Sequence, residues 1–281
     1  MDQEFAMQQL VTPNDVNPQT NHYKTIFLSD IHLGSRACQA DLLLDFLKYN
    51  DSEKMYLVGD IVDGWRLKRS WYWPQSHNDV VQKILRKARK GTEIIYVPGN
   101  HDEGLRRYCG THFGGIEVRL TDTYKAVNGK NYLVMHGDAF DNVSLYARWL
   151  AYVGDHAYDA VLALNTVMNG VRRLLGMRYW SLSSYLKIKV KNAVQFISDF
   201  EEAMVREAER HDVQGVICGH IHHAEMKQIG SIQYMNDGDW VESCTALVEH
   251  HDGRWEIVNW ADIVGSRTGA ARAKPKSALP A

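Results

Sequence analysis

The chain has 281 residues, of which 45% are hydrophobic, and its formal net charge at pH 7 is -2. This length suffices for one large domain, or for one domain that carries a substantial insertion. The near-neutral charge argues against a general polyanion-binding protein. The four cysteines form no closely spaced pair, so we expect reduced thiols and a cytoplasmic protein. No signal-peptide pattern and no apolar run of about 18 residues is present, which predicts that nothing spans a membrane.

Five short apolar runs are each followed directly by residue types that bind metals. Runs of about four to six apolar residues, bounded by Gly, Pro or Asp, are typical of strands buried on both faces. The predicted strands cover residues 25–28, 55–58, 94–97, 132–135 and 213–218. In an open α/β sheet, the residues just past the carboxyl ends of the strands converge on one crevice. We therefore expect the polar residues that follow these strands to meet in space.

Helical patterns separate the first three predicted strands. The apolar residues of 42–47 predict the first helix, and the second is expected to begin with Ser76 as its N-cap and to end at Gly91. This alternation predicts right-handed crossovers and parallel pairing. Later short runs at 232–235, 245–249 and 255–258 predict an antiparallel meander. The expected fold class is α/β, with two mixed β-sheets packed against each other and helices on the outside.

A helical insertion is predicted at about residues 142–210, between the fourth and fifth strands. Its last part, residues 182–210, favours a long helix with Ser181 as a cap. Residues 160–198 contain no acidic side chain but six cationic ones, whose mutual repulsion a bound anion would relieve. The alternative is that these cations only face water. Four of them are predicted to bind substrate: Arg172, Arg173, Lys187 and Lys191.

Both ends of the chain are expected to be disordered tails. Residues 1–21 are rich in Gln, Asn and Pro, and residues 265–281 mix small and basic residues without apolar periodicity. The predicted folded domain therefore covers residues 22–264, including the insertion.

Seven residues at the five strand ends carry oxygen or nitrogen ligands for hard and borderline metals. Carboxylates and an amide supply oxygen, and neutral imidazoles suit Mn, Fe or Zn. This number of ligands suffices for two divalent ions with positions left for water and substrate, because one carboxylate can bridge two cations. The predicted ligands are Asp30, His32, Asp60, Asn100, His136, His220 and His222.

Two neighbouring ions would activate a shared water and hold the oxygens of a phosphoryl group during in-line displacement. This chemistry predicts hydrolysis of a phosphoester or phosphoanhydride. His101 is not needed as a ligand and is free to stabilise the phosphoryl group or to protonate the leaving oxygen. Asp63 is predicted to hold the His101 imidazole in the required tautomer, so these two residues are the expected catalytic pair.

The ordered set of motifs DIH, GDIVD, GNHD, HGD and GHIH resembles that of the calcineurin-like metallophosphoesterase superfamily over residues 25 to about 260. The resemblance implies an α/β sandwich with a dinuclear metal site. It implies one metal held by Asp30, His32, Asp60 and His222. It implies a second metal whose ligands are Asp60, Asn100, His136 and His220.

Within that superfamily, the chain resembles the UDP-2,3-diacylglucosamine diphosphatase family in its SDIHLG start, its HGD and GDW segments and its helical insertion. The resemblance implies cleavage of a nucleotide pyrophosphate to UMP and an acylated sugar 1-phosphate in lipid A synthesis, usually with manganese. It also implies acyl chains in the insertion and a position at the inner face of the inner membrane. Where the best-known branch has an arginine and typically a glutamate, this chain has His101 and Asp63.

Three alternatives remain at this point. A relative acting on another lipid-linked or nucleotide phosphodiester or monoester would use the same ligands. A nuclease would need a basic track along the nucleic-acid backbone, and outside the insertion and the tail the acids balance the bases, so no nucleic-acid partner is expected. A metal-free interaction scaffold would not require an intact set of ligands.

Peripheral contact with an anionic membrane is compatible with the apolar and basic insertion.

Overall fold

A computed structural model describes residues 20–140 and 182–272 of the chain, with side chains for residues 20–140 and 195–267. Twelve strands are present in these residues. In chain order they are β1 (Asn21–Leu28), β2 (Asn50–Val58), β3 (Glu93–Val97), β4 (His112–Phe113), β5 (Ile116–Val118), β6 (Asp122–Lys125), β7 (Asn131–Val134), β8 (Gly215–Cys218), β9 (Glu225–Ile229), β10 (Ile232–Asn236), β11 (Thr245–Glu249) and β12 (Trp255–Asn259).

Five α-helices and two short 3-10 turns accompany the strands in the described residues. The helices are α1 (Ala40–Tyr49), α2 (Gly64–Arg69), α3 (Gln75–Arg89), α4 (Leu182–Arg210) and α5 (Trp260–Arg272). The 3-10 turns are Glu103–Tyr108 and Asp138–Phe140. None of the helices in the described part of the chain is both long enough and apolar enough to cross a membrane.

The strands form two mixed sheets, as the sequence predicts. The first sheet has seven strands in the order β12-β11-β1-β2-β3-β5-β4, in which β1, β2, β3 and β5 run parallel. The second sheet has five strands in the order β6-β7-β8-β10-β9, in which β7, β8 and β10 run parallel. The strands that precede the five polar clusters therefore lie in two sheets, three in the first and two in the second.

Apolar side chains fill the space between the sheets and cover their outer faces. Between the sheets, the rings of Phe27 and Tyr56 stack with centroids 4.9 Å apart, and Val134 and Ile217 of the second sheet belong to the same cluster. A second cluster joins the first sheet to α1, α3 and α5. A third joins α4 to the second sheet through residues such as Phe200. The order of layers is helices, sheet, sheet and helix, which confirms the expected α/β sandwich.

Three local expectations are wrong. Ser76 lies inside α3, whose N-cap is Pro74, because the proline already sets an extended backbone at that position. The run at 232–235 is part of β10, which pairs with β8 and β9 in the second sheet, so it forms no meander with β11 and β12. The tail expected from residue 265 instead continues as α5 to Arg272.

A contact explains why α5 extends beyond the predicted end of the domain. The guanidinium carbon of Arg267 lies 4.9 Å from the ring centroid of Trp260 and 5.3 Å from that of Tyr49. Stacking of a cation on aromatic rings stabilises a segment that is weak in apolar periodicity. Strand β1 also begins at Asn21, within the expected N-terminal tail, where the Asn21 side chain donates to Oδ1 of Asn50 at 2.8 Å.

Candidate metal centre

The polar residues that follow β1, β2, β3, β7 and β8 converge on one site. Histidine and aspartate side chains there form groups whose potential ligand atoms all lie within 4.8 Å of one another. In the described residues, three such groups occur: Asp30, His32 and His222; His32, Asp60 and His101; and Asp60, His136 and His220. Six of the seven predicted ligands therefore come together, from segments as far apart as β1 and β8.

The first group gathers around Asp30. Its Oδ1 atom lies 3.1 Å from Nε2 of His222 and 3.7 Å from Nε2 of His32. The two imidazole nitrogens are themselves 3.3 Å apart. Three potential ligand atoms thus surround a small volume that one cation could occupy.

Asp60 lies between the first group and the third. Its Oδ2 atom is 3.9 Å from Nε2 of His32 and 3.5 Å from Nε2 of His136. The His136 and His220 rings pack edge to face with centroids 5.0 Å apart. A single carboxylate oxygen therefore faces imidazoles from both groups, which is the position required of a bridging ligand.

Unpaired buried atoms test whether this arrangement fits a metal. Among the described residues, nine buried side-chain polar atoms have no hydrogen-bond partner, and three of them lie in the site: Asp30 Oδ1, Asn100 Oδ1 and His136 Nε2. A buried polar atom without a partner is costly, and it is expected where a ligand completes its coordination. All three belong to the predicted ligand set, and their nitrogen and oxygen atoms suit a borderline divalent cation. The residues present therefore fit the metals that the motif pattern implies.

Hydrogen bonds on the far side of the ligands hold them in orientation. Nδ1 of His136 lies 2.8 Å from the carbonyl oxygen of Val58, so it donates there and leaves Nε2 free to face the site. Oδ2 of Asp30 accepts from the backbone N–H of His220 at 2.8 Å. Oδ1 of Asp60 accepts from the backbone N–H of His101 at 2.8 Å. Each carboxylate thereby turns its other oxygen toward the neighbouring imidazoles.

The backbone at the site is strained. Non-glycine residues rarely adopt positive φ, and where they do the surrounding structure must compensate a cost of about 1–3 kcal/mol each. Seven non-glycine residues have positive φ in the described segments, and five of these are predicted ligands: Asp30, His32, Asp60, His220 and His222. This concentration indicates that the fold maintains the strained loops in order to place these side chains.

Two glycines beside the ligands allow close approach of the backbone. A Cβ atom added at Gly99 would lie 2.3 Å from Oδ1 of Asp60 and 2.6 Å from Cδ2 of His136. One added at Gly219 would lie 2.3 Å from Oγ of Ser29 and 2.6 Å from Oδ2 of Asp30. Neither position has room for any other residue, because real Cβ atoms do not come so near to other heavy atoms.

His101 and Asp63 form the pair expected from the sequence. Nδ1 of His101 lies 2.9 Å from Oδ1 of Asp63, and its Nε2 lies 3.8 Å from Oδ2 of Asp60. The same Asp63 oxygen accepts from the backbone N–H of Arg66 and so caps α2. Burial acts to raise the pKa of Asp63, but the hydrogen bond from His101 and the His32 imidazole 3.6 Å away hold it well below its usual value. Asp63 is therefore ionised and fixed in position.

Two histidines of the site have raised pKa values in the absence of metal. Burial acts to lower the pKa of His136, but the negative charge of Asp60, whose Oδ2 lies 3.5 Å from Nε2, raises the value to about 10. Burial likewise opposes protonation of His32, but the carboxylates of Asp30 and Asp63, whose oxygens lie 3.7 Å and 3.6 Å from its ring nitrogens, raise its pKa to about 9. A metal bound by these nitrogens has to displace protons from them.

Asp102 is a positioning residue to which the sequence pattern assigned no role. Its carboxylate accepts from the backbone N–H groups of Ile61 and Gly99 and from the hydroxyl of Tyr96. Burial, followed by the nearby charge of Asp60, raises its pKa. Asp102 thus ties the loop after β2 to the loop after β3. The sequence feature that could have identified Asp102 is its position in the GNHD motif.

A cavity of about 560 Å³ opens onto the site. Its polar lining includes Asp60, Asp63, Asn100 and His101. Several further lining residues were not predicted from the sequence: Gly34, Arg36, Trp65, Arg66, Arg69, Ser70, Tyr72, Phe196 and Ile221. Most of these lie in the segments that directly follow the first two clusters, which was the only signal in the sequence that could have found them.

The side chains of the predicted substrate-binding cations lie outside the described part of the insertion. Arg172 and Arg173 lie outside the described residues, as does all of the insertion before Leu182. Lys187 and Lys191 lie on α4, in the part for which only the helical backbone is described. The long helix itself is confirmed, because α4 covers Leu182–Arg210.

The comparison with protein families agrees with the geometry of the site. A family model described as calcineurin-like phosphoesterase matches residues 23–224, which include all seven predicted ligands. The chain belongs to the calcineurin-like phosphoesterase family. It is therefore a metal-dependent phosphoesterase or related hydrolase, as the motif set indicated.

Relatives within this family carry a more specific name. The chain is 25% identical over 234 residues to a UDP-2,3-diacylglucosamine hydrolase of Psychromonas ingrahamii, with 77% of this chain and 89% of the relative covered. It is 27% identical over 232 residues to the protein of that name in Marinobacter nauticus, with 78% and 90% covered. Among solved structures, Vps29 of Entamoeba histolytica aligns with this chain with a TM-score of 0.41 at 15% sequence identity. The alignment covers 84% of this chain and 98% of the Vps29 chain.

Proposed function

We propose that the protein is a dinuclear metal-dependent hydrolase that cleaves the pyrophosphate of a UDP-linked acylated sugar. The proposed reaction converts UDP-2,3-diacylglucosamine to UMP and the acylated sugar 1-phosphate, a step of lipid A synthesis. The observation that carries the hydrolytic part is the Asp60 carboxylate between two groups of ligands. The names of the relatives support the substrate.

The seven residues of the site are proposed to divide into two sets of metal ligands. Asp30, His32 and His222 hold one ion together with Asp60. The second ion is held by Asp60 and by three more residues: Asn100, His136 and His220. Two divalent ions in these positions would supply an activated water and charge stabilisation of the phosphoryl oxygens. We propose manganese as the metal because the resemblance to the UDP-2,3-diacylglucosamine diphosphatase family implies it, and the same nitrogen and oxygen donors also suit iron and zinc.

His101 and Asp63 are proposed to move and hold a proton. Asp63 is ionised and accepts from Nδ1 of His101, which leaves Nε2 to face the cavity. When both ring nitrogens carry a proton, Nε2 can donate its proton to the departing phosphate oxygen, and the ring returns to the neutral form; the same N–H can stabilise charge on the phosphoryl group. Trp65 covers the imidazole, with ring centroids 4.3 Å apart, and limits the access of bulk water to it.

The lipid part of the substrate is proposed to lie toward α4 and the insertion. Phe196 of α4 and Ile221 contribute buried apolar surface to the cavity. Acyl chains can bury their methylene groups against such surface. Arg172, Arg173, Lys187 and Lys191 of the insertion are proposed to bind the anionic part of this substrate. We further propose a cytoplasmic location with peripheral contact at the inner face of the inner membrane.

A second candidate is hydrolysis of another lipid-linked or nucleotide phosphodiester or monoester by the same metal centre. The His101–Asp63 pair favours it, because the pair is that of the wider superfamily. A metal-free interaction scaffold is the remote alternative, and the three unpaired ligand atoms weigh against it.

The test is to incubate the purified protein and manganese with UDP-2,3-diacylglucosamine and to separate the products by chromatography. The proposal expects UMP and the acylated sugar 1-phosphate in equal amounts. Hydrolysis of bis(p-nitrophenyl) phosphate without release of UMP would instead support the second candidate. Protein that hydrolyses neither compound and binds no metal would support the scaffold.

A further inference from the structure

One side of the cavity beside the metal centre carries arginines and aromatic rings. Five lining residues make up this surface, which we call the arginine wall: Arg36, Trp65, Arg66, Arg69 and Tyr72. They come from the loop after β1, from α2 and from the loop that follows α2. None of them was assigned a role by the sequence pattern.

The positive charge of the arginine wall is only partly compensated. In the parts of the chain that the structure describes, the acidic side chains that line the cavity are Asp60 and Asp63, and both already belong to the metal centre. Arg66 lies 3.8 Å from Asp63 through its Nε atom. Arg36 and Arg69 form no ion pair with any of the residues that the structure describes. Cations that converge on a cavity without acidic partners favour an anionic ligand there.

The arginine wall is held in shape by a buried histidine. Nδ1 of His77 accepts from the backbone N–H of Gly34 at 3.0 Å, which ties α3 to the loop that carries Arg36. The His77 ring packs edge to face on Tyr72, with centroids 5.6 Å apart. The guanidinium carbon of Arg36 lies 4.3 Å from the centroid of the Tyr72 ring. Arg36 is therefore restrained before any ligand binds, which lowers the entropic cost of binding.

We propose that the arginine wall is the subsite for a nucleoside diphosphate. One phosphate lies at the metal ligands, Arg36, Arg66 and Arg69 contact the other, and Trp65 or Tyr72 supplies a flat face for the base. This inference rests on the proposed function, because it places the part of a pyrophosphate substrate that a phosphomonoester lacks. It makes the wall the element that selects nucleotide pyrophosphates over simple phosphate esters.

The test compares the binding of UDP, UMP and inorganic phosphate to the manganese-loaded full chain by calorimetry at constant free manganese. The double variant Arg36→Gln, Arg69→Gln removes two exposed charges outside the metal centre. We expect the ratio of the Kd of phosphate to the Kd of UDP to fall at least about tenfold in this variant, because each lost charge-assisted contact acts on the second phosphate. UMP, which lacks that phosphate, is expected to lose less affinity than UDP.

A matched control is Arg89→Gln, which removes an exposed arginine of α3 that does not line the cavity. This variant should keep the wild-type ratio. A second variant, Tyr72→Leu, should weaken the binding of UDP more than that of phosphate, because it loses the aromatic face and the contact with Arg36. An unchanged ratio in the double variant, or wild-type protein that binds UDP no more tightly than phosphate, overturns the proposal.

These binding measurements do not depend on turnover. Failure of the proposed function appears as absent hydrolysis of both UDP-2,3-diacylglucosamine and bis(p-nitrophenyl) phosphate. Failure of the arginine wall appears as an unchanged ratio of dissociation constants, whether or not hydrolysis occurs.

Discussion

Nδ1 of His101 lies 2.9 Å from Oδ1 of Asp63, although 38 residues separate them in the chain. The pair meets because β2 and β3 are parallel neighbours whose following loops lie side by side. A carboxylate that is already ionised and fixed by the cap of α2 sets the tautomer of the imidazole. His101 is thereby presented to the cavity without needing to bind a metal.

Replacement of His101 by Ala should slow the chemical step and leave the metal content close to that of the wild type. General acid catalysis typically contributes about 10²–10⁴-fold, and a loss of kcat in this range is expected. The measurement is kcat with bis(p-nitrophenyl) phosphate together with elemental analysis of the same preparation. If the variant lost a metal ion in proportion to its activity, His101 would be a ligand and the assigned role would be wrong.

Replacement of Asp63 by Asn tests the orienting role more finely. Asn retains an oxygen that can accept from the backbone N–H of Arg66, so α2 keeps its cap. The negative charge that holds His101 is removed, and kcat should fall by at least about tenfold with a smaller change in KM. Thermal unfolding serves as the control for the fold. A variant with wild-type kcat over the whole pH range would refute the role of the pair.

Replacement of Gly99 by Ala should weaken metal binding although it replaces none of the predicted ligands. The new Cβ would lie 2.3 Å from Oδ1 of Asp60, so Asp60 or His136 has to move. Because positions of metal ligands must be accurate to a few tenths of an ångström, we expect a loss of at least about tenfold in manganese affinity. Gly104→Ala is the matched control, since the heavy atom nearest to its new Cβ, Nη2 of Arg107, would be 4.0 Å away. Equal affinities for both variants would contradict the close approach at Gly99.

Manganese binding should release protons near neutral pH. The pKa values of His136 and His32 in the metal-free protein are raised to about 10 and about 9, so both imidazoles are protonated at pH 7.5. A metal ion binds the neutral imidazole, and its affinity should therefore rise with pH until the pH passes these values. Calorimetry in two buffers of different ionisation enthalpy should give about two protons released per chain. Binding that released none would mean that neither histidine is a ligand.

The sequence predicted the convergence of these side chains well because strand ends are a local property of the chain. A short apolar run followed by Gly and Asp or His marks both the strand and its first polar residue. Parallel order then brings Asp30, Asp60 and Asn100 together in the first sheet without any knowledge of distant contacts. The long helix α4 was predicted for a similar reason, since its pattern continues over many turns.

Pairing between distant strands could not be predicted in the same way. The run in β10 is apolar and short, and nothing within it distinguishes β8 from β11 as its partner. The end of α5 depends on the contact of Arg267 with Trp260 and Tyr49, which local composition does not encode. The arginine wall was missed because exposed Arg and Trp residues have no periodicity, and only the fold places Arg36 beside Tyr72.

The most direct test of the dinuclear centre is a titration of metal-free protein with manganese, in which bound metal and hydrolysis of bis(p-nitrophenyl) phosphate are followed together. A centre in which two ions share Asp60 predicts that activity reaches its maximum when two ions are bound per chain. It also predicts that Asp60→Ala, which deprives both ions of a ligand, binds neither ion tightly and has no activity. Full activity with one ion per chain, or near-native turnover by the Asp60→Ala variant, would contradict a centre in which two ions share Asp60.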